Sequence, residues 1–168
     1  EVNKFWDEES KKKPHLHDSP IFVALDSRDI GKLSGVLIPY RFIHFQRQTG
    51  KYLGLISCGV TGVVRIGDRI QLLRRSHKNT GHEGKLEFAP AGGIDHGGFE
   101  NGKMDPKKQV LAELREELAI TEKEVVSVEL KSWCLDISDS VLDFVYDIRI
   151  SEGSRVIISD EHTEVKEM

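Results

Sequence analysis

Residues 90–120 read PAGGIDHGGFENGKMDPKKQVLAELREELAI, and the second half of this stretch decides how the rest of the chain is read. Asp105 carries a side chain that caps a helix, and Pro106 suits the first helical position, where a missing N–H costs nothing. Val110, Leu111, Leu114 and Leu118 then recur at helical spacing, which predicts a helix over 105–118 with one face against a core. Glu113, Glu116 and Glu117 fall on one patch of the opposite side, where each like-charged pair costs about a few tenths of a kcal/mol. A multivalent cation removes that cost. Carboxylate oxygens are hard ligands that suit Mg²⁺ or Mn²⁺, ions that work beside substrate phosphates instead of filling an all-protein cage.

A run of glutamates is also what a solvated helix face looks like, so spacing alone leaves both readings open. The residues upstream add to the first. A strand-like KLEF (85–88) runs into Pro90-Ala91-Gly92-Gly93, and Gly97-Gly98 follow before the helix begins. Glycines there let the backbone come close to a ligand or a metal.

Strand, Pro-x-Gly-Gly loop and AELREELAI together resemble the signature of the Nudix hydrolases, which closes on Arg-Glu-aliphatic-x-Glu-Glu-x-Gly-aliphatic. Glu113 matches its first helix glutamate, Leu114 the aliphatic residue, Glu116 and Glu117 the paired glutamates, and Ile120 the closing aliphatic. The resemblance implies an α/β fold, an α/β/α sandwich around a mixed β-sheet. It also implies divalent cations, Mg²⁺ or Mn²⁺, held by Glu113, Glu116 and Glu117. With them water would cleave the diphosphate linkage of a nucleoside diphosphate joined to another group. Glu116 and Glu117 then belong to the catalytic set. A late carboxylate, Glu161 or Glu164 in SDEHTEVKEM, completes the metal site or serves as base. Gly92 and Gly93 line the substrate, and Arg74 or Arg75, ending the strand before the glycine loop, presents a guanidinium fork to its phosphates.

The chain departs from the pattern in three places. Ala112 stands where the family has the arginine that steadies the first glutamate, a task left to Arg115 or a strand arginine. Ala119 replaces the closing glycine, at a cost of about 1 kcal/mol if its backbone turns left-handed. The loop after Gly93 is longer than the pattern allows, which leaves Glu100 as the nearest candidate for the pattern's early glutamate. These losses keep a second reading open: a Nudix-fold module that binds a nucleotide or a protein partner without cleaving it.

Length and composition fit a single domain able to bury a real core: 168 residues, 38% hydrophobic, 31% charged, formal net charge −4. A mildly acidic balance argues against coating a nucleic acid. No apolar run approaches a membrane span, and no signal-peptide pattern opens the chain. Cys58 and Cys134 read as free buried thiols of a reducing, cytoplasmic compartment.

Residues 1–20 are polar, with Lys11-Lys12-Lys13 and two prolines, and read as an arm before a single domain over 21–168. His15 and His17 lack a third ligand and read as incidental. Phe5 and Trp6 are the arm's candidates for docking. From Ile21 the signals are β: IFVAL, then GVLIPYRFIHFQ and YLGLISCGVTGVVRI, read as a hairpin with its turn at 48–51, then RIQLLRR after a turn at Gly67-Asp68. Residues 21–48 thus read as extra N-terminal strands, which in several Nudix subfamilies build a homodimer or shape the substrate pocket. Residues 76–84 have loop composition. Thr121 and Glu124 form a capping box, VSVELKSWCLDI reads as a strand, and VLDFVYDIRI alternates with a period of two.

Overall fold

In the computed structural model, which describes residues 1–14, 16–26, 33–77 and 82–168, the alternation of VLDFVYDIRI is strand β10 (Val141–Ile150). Leu142, Phe144, Tyr146, Ile148 and Ile150 are all buried, as the period of two requires. Strand β3 (Ile56–Ile66) runs parallel beside it and sets Val60 opposite Phe144 and Val64 opposite Ile148. On the other side, β9 (Val125–Asp136) pairs antiparallel with β10.

The Gly67-Asp68 turn folds β4 (Arg69–Arg75) back on β3, and β5 (Leu86–Phe88) and β11 (His162–Glu167) pair with β4. Strands β1 (Pro20–Asp26) and β6 (Ala91–Gly93) both pair with β3, and β2 (Ser34–Pro39) pairs with β1. These strands make one mixed nine-stranded sheet.

Helix α3 (Pro106–Leu118) covers the Val60 and Val64 face, and Val110, Leu114 and Leu118 are at most 1% exposed there. Its start follows the expected chemistry: Asp105 accepts a hydrogen bond from the Lys108 N–H at 3.1 Å, and Pro106 opens the first turn. On the opposite face lies α2 (Tyr40–Thr49), whose Arg47 donates to the Ser57 hydroxyl at 3.0 Å. Helices therefore flank the sheet on both sides, which is the sandwich expected from the sequence.

Helix α2 corrects one expectation. YRFIHFQ is not a strand, and no hairpin turns at 48–51; Gly50 instead closes the helix in a left-handed conformation, φ 69°. Pairing of β1 with β2 ends at Pro39, so the backbone is released there into a helix that buries Ile43, His44, Phe45 and Gln46. Its cover is α1 (Val2–Lys12), formed by residues read as an arm. Phe5 meets Phe45 edge-on at 5.4 Å between ring centroids, and Trp6, 9% exposed, packs on His44 and Tyr40. His15 lies outside the described residues, as do 78–81 of the loop read over 76–84.

The long loop after Gly93 is resolved into a 3₁₀ turn at His96–Gly98 and a hairpin of β7 (Phe99–Glu100) and β8 (Lys103–Met104). Glu100 sits on that hairpin. The capping box of Thr121 and Glu124 is present. Cys58 is buried, but Cys134, on the largely exposed β9, is not; both thiols are free.

Ala119 ends α3 with φ 54° and ψ 24°, the left-handed conformation that the missing glycine would take without strain. Ala119→Gly is accordingly expected to raise stability by about 1 kcal/mol, read as a higher urea midpoint at unchanged slope. A lower midpoint would show that the Ala119 side chain contributes packing that outweighs the strain.

Candidate metal and phosphate site

The C-terminal half of α3 lies against β6, and this contact decides where the glutamates go. A Cβ on Gly92 would stand 2.2 Å from Glu113 Oε1, so the glycine is what lets the carboxylate reach the strand. Gln109, one turn earlier, donates to the same Glu113 oxygen at 2.8 Å and is itself 4% exposed. Glu117 Oε1 accepts the Ala91 N–H at 3.1 Å. A Cβ on Gly93 would stand 2.6 Å from Ile21 Cδ1, so this glycine makes room for Ile21 and not for a helix glutamate.

The three glutamates do not share one exposure. Glu116 is exposed and Glu113 half-buried, whereas Glu117 is only 5% exposed, so of the two readings that spacing left open the wholly solvated face is not the one observed. Burial pushes the Glu113 carboxyl up to about 7; the nearby charges of Glu116, Asp95 and Glu161 add to this, and the Gln109 hydrogen bond opposes it. Burial likewise pushes Glu117 up to about 9, with Glu113, Glu161 and Glu87 reinforcing and the Ala91 N–H opposing. Asp95, Glu116, Glu161 and Glu87 thus surround Glu113 and Glu117 with further negative charge.

The late carboxylates part company. Glu161 lies in a turn just before β11 and acts electrostatically on both buried glutamates. Glu164 is on β11, not on a loop, and its Oε2 accepts from Arg74 Nε at 2.7 Å; that guanidinium holds the Glu164 carboxyl below its ordinary range. Arg74 also donates to the Gly84 carbonyl at 2.7 Å. Arg75 donates to both oxygens of Glu87, at 2.9 and 2.8 Å. Both strand arginines are therefore engaged by protein carboxylates. Arg115 is exposed and lines a cavity of about 780 Å³ with Lys108, Ala112, Glu113 and Glu116.

Four residues at this site were not singled out in the sequence: Glu87, Asp95, Gln109 and His162. Gln109 was findable, since it stands four residues before Glu113 on a predicted helix. Asp95, and not Glu100, is the loop carboxylate that acts on Glu113. His162, 6% exposed, has Nε2 3.0 Å from Glu87 Oε1 and 3.8 Å from Glu117 Oε2. Burial works to raise the Glu87 carboxyl, but hydrogen bonds from His162 and Arg75 outweigh it and hold the group below its ordinary range.

Among the described residues no group of three or more His, Cys, Asp or Glu side chains is arranged to hold a metal ion unaided. The donor set nonetheless fits Mg²⁺ or Mn²⁺. Such an ion takes one or two carboxylates and completes its shell with water and substrate phosphate, and the buried, mutually repelling Glu113 and Glu117 are oxygens that a cation would stabilise. Gly92→Ala is expected to push Glu113 off β6 and weaken Mn²⁺ binding about tenfold or more. Wild-type affinity in that variant, measured by electron paramagnetic resonance of free Mn²⁺, would show that Glu113 does not bind from this position.

No protein-family model matches the chain, and no curated protein does. Solved structures do match. DR0079 from Deinococcus radiodurans is 15% identical, with a TM-score of 0.63 over 89% of this chain and 83% of its own. An Ap4A hydrolase from C. elegans, solved as a binary complex, is 16% identical with a TM-score of 0.52 over 65% and 77% of the two chains. The NUDIX domain of NrtR from Shewanella oneidensis, complexed with ADP ribose, is 16% identical with a TM-score of 0.52 over 73% and 80%. With the flanked mixed sheet and the glycine-strand contact of α3, these likenesses establish that the chain has the Nudix fold.

Proposed function

We propose that the protein is a metal-dependent hydrolase that cleaves the diphosphate linkage of a nucleoside diphosphate joined to another group. The observation that carries this reading is the half-buried Glu113 and the buried Glu117 brought together on β6, with Glu113 at the edge of a cavity whose walls carry both acids and the cations Lys108, Arg115 and Lys123. Folding desolvates two mutually repelling acids there, a costly arrangement that a bound cation would relieve.

Glu113, Glu116 and Glu117 would hold Mg²⁺ or Mn²⁺. When bound, the ion supplies Lewis-acid polarisation of a phosphoryl oxygen and neutralises charge on the leaving group. Lys108 and Arg115 on the cavity wall bind and orient the phosphates. Glu161, exposed and in electrostatic reach of Glu113 and Glu117, would accept the proton of the attacking water, a role less suited to Glu164, whose carboxylate is paired with Arg74. Arg74 and Arg75 already pair with protein carboxylates, so phosphate would share or replace those partners. No helix among the described residues is long and apolar enough to cross a membrane. Two free cysteines fit the cytoplasmic setting in this reading.

The test is a screen of diphosphates with Mg²⁺ and with Mn²⁺, reading released nucleotide or phosphate, with Glu117→Gln as the control for contaminating activity. Ap4A and ADP ribose, named for two structural neighbours, head the screen because each joins nucleosides or sugars through phosphates. Metal-dependent turnover lost in the control supports the hydrolase. Metal-dependent binding without turnover supports the noncleaving module instead.

A further inference from the structure

We propose that His162, held through Glu87 by Arg75, is a positioning residue that fixes the Glu117 carboxylate in its cation-binding orientation. This deepens the hydrolase reading and rests on it.

The geometry runs in one line from the surface inward. Arg75 clamps Glu87 through both carboxylate oxygens, at 2.9 and 2.8 Å. Glu87 Oε1 lies 3.0 Å from His162 Nε2. The same nitrogen is 3.8 Å from Glu117 Oε2, while Glu117 Oε1 is fixed on the Ala91 N–H. Glu87 is held below its ordinary range, so its oxygen accepts, and Nε2 carries the proton and donates to it. The same imidazole edge faces Glu117, so that carboxyl, once ionised by a bound cation, lies beside an N–H already oriented by Glu87.

Three strands supply this line: β4 gives Arg75, β5 gives Glu87 and β11 gives His162. The pairing of β4 with both neighbours sets His162 opposite Arg75, so the register itself delivers the ring to the end of α3. The His162 side chain is 1% exposed, its Nδ1 has no hydrogen-bond partner among the described residues, and its polar contacts there are through Nε2. Ala112 is too short to reach either carboxylate. Outer partners of this kind orient metal-binding carboxylates, and their loss costs about tenfold to a hundredfold in metal affinity.

Mn²⁺ affinity, measured on the whole protein by electron paramagnetic resonance of the free ion, is the primary readout, and the activation of turnover by Mn²⁺ is the second. His162→Leu is expected to weaken Mn²⁺ about tenfold or more and to shift metal activation to higher concentration, with kcat recovering at saturating metal. His162→Gln, whose amide N–H₂ can reach the place of Nε2, is expected to restore most of the affinity. Glu87→Gln, which keeps the shape and weakens the clamp, serves where the leucine variant fails to fold and is expected to lie between wild type and leucine. Wild-type Mn²⁺ affinity in folded His162→Leu or in Glu87→Gln would overturn the proposal, as would a glutamine variant no better than leucine. Absence of Mn²⁺ binding by the wild-type protein would overturn the hydrolase reading itself, and this inference with it.

Discussion

Glu117→Gln is expected to lower kcat on the best diphosphate substrate by roughly a hundredfold or more at saturating Mg²⁺, equivalent to about 3 kcal/mol of transition-state stabilisation. The carboxylate is buried, fixed on the Ala91 N–H and within electrostatic reach of Glu113 and Glu161, so neither water nor a neighbouring acid can take its place without moving the backbone. Glu164→Gln is the contrast. Its partner is Arg74 in a half-exposed pair, an interaction of a kind worth about 0.2 to 1 kcal/mol, and kcat is expected to stay within about fivefold of wild type. Glu161→Gln should fall between, because an exposed carboxylate in a turn is more easily replaced by water. Folding of each variant is checked by circular dichroism. A dead Glu164→Gln beside a near-normal Glu117→Gln would move the reacting centre from α3 to β11.

How the chemistry was legible depends on how local its signal is. The cap, the proline and the apolar stripe of α3 lie within a few turns of one another, and each constrains the same backbone, so the helix could be read directly from 105–118. The same holds for β10, whose alternation reports one buried face. Tyr40–Thr49 misled because Phe42 to Phe45 satisfies strand propensity locally, whereas its helical state depends on Phe5 and Trp6, far off in sequence. Tertiary packing overrode propensity there.

At the site the division is similar. Glu113, Glu116 and Glu117 announce themselves by spacing, but spacing does not say that Glu117 is buried and Glu116 is not; that follows from the packing of α3 on β6, where the Ala91 N–H holds Glu117. Arg75, Glu87 and His162 belong to three strands, and Glu87 and His162 are 75 residues apart. Nothing in a lone histidine within an acidic stretch distinguishes it from surface. Only the register of β11 on β4 turns it inward.

Metal is expected to stabilise the protein more at pH 8.5 than at pH 5.5. Glu113 and Glu117 have folded-state values of about 7 and about 9, raised by burial and by neighbouring carboxylates above an ordinary value of 4.5. A carboxyl raised on folding holds its proton more tightly in the folded chain. Its contribution to stability is therefore fully present below about 4.5 and is lost as pH rises through its folded value. For this pair the loss runs from about pH 5 to about pH 9, and each tenfold in proton affinity is worth about 1.4 kcal/mol, so the metal-free protein should weaken across that window. The effect of Glu87 has the opposite sign: its lowered value contributes stability above its ordinary range that is lost only as pH falls through its folded value, outside most of this window. A cation binds the ionised carboxylates and displaces their protons, which offsets the loss where the acids are charged and competes poorly with protons where they are not. Thermal unfolding at the two pH values, with Mg²⁺ and with EDTA, should show a rise in Tm of several degrees at pH 8.5 and little at pH 5.5. Glu117→Gln should shrink both the metal response and the alkaline weakening of the EDTA-treated protein. Equal metal responses at the two pH values would mean that any bound cation does not act through Glu113 and Glu117.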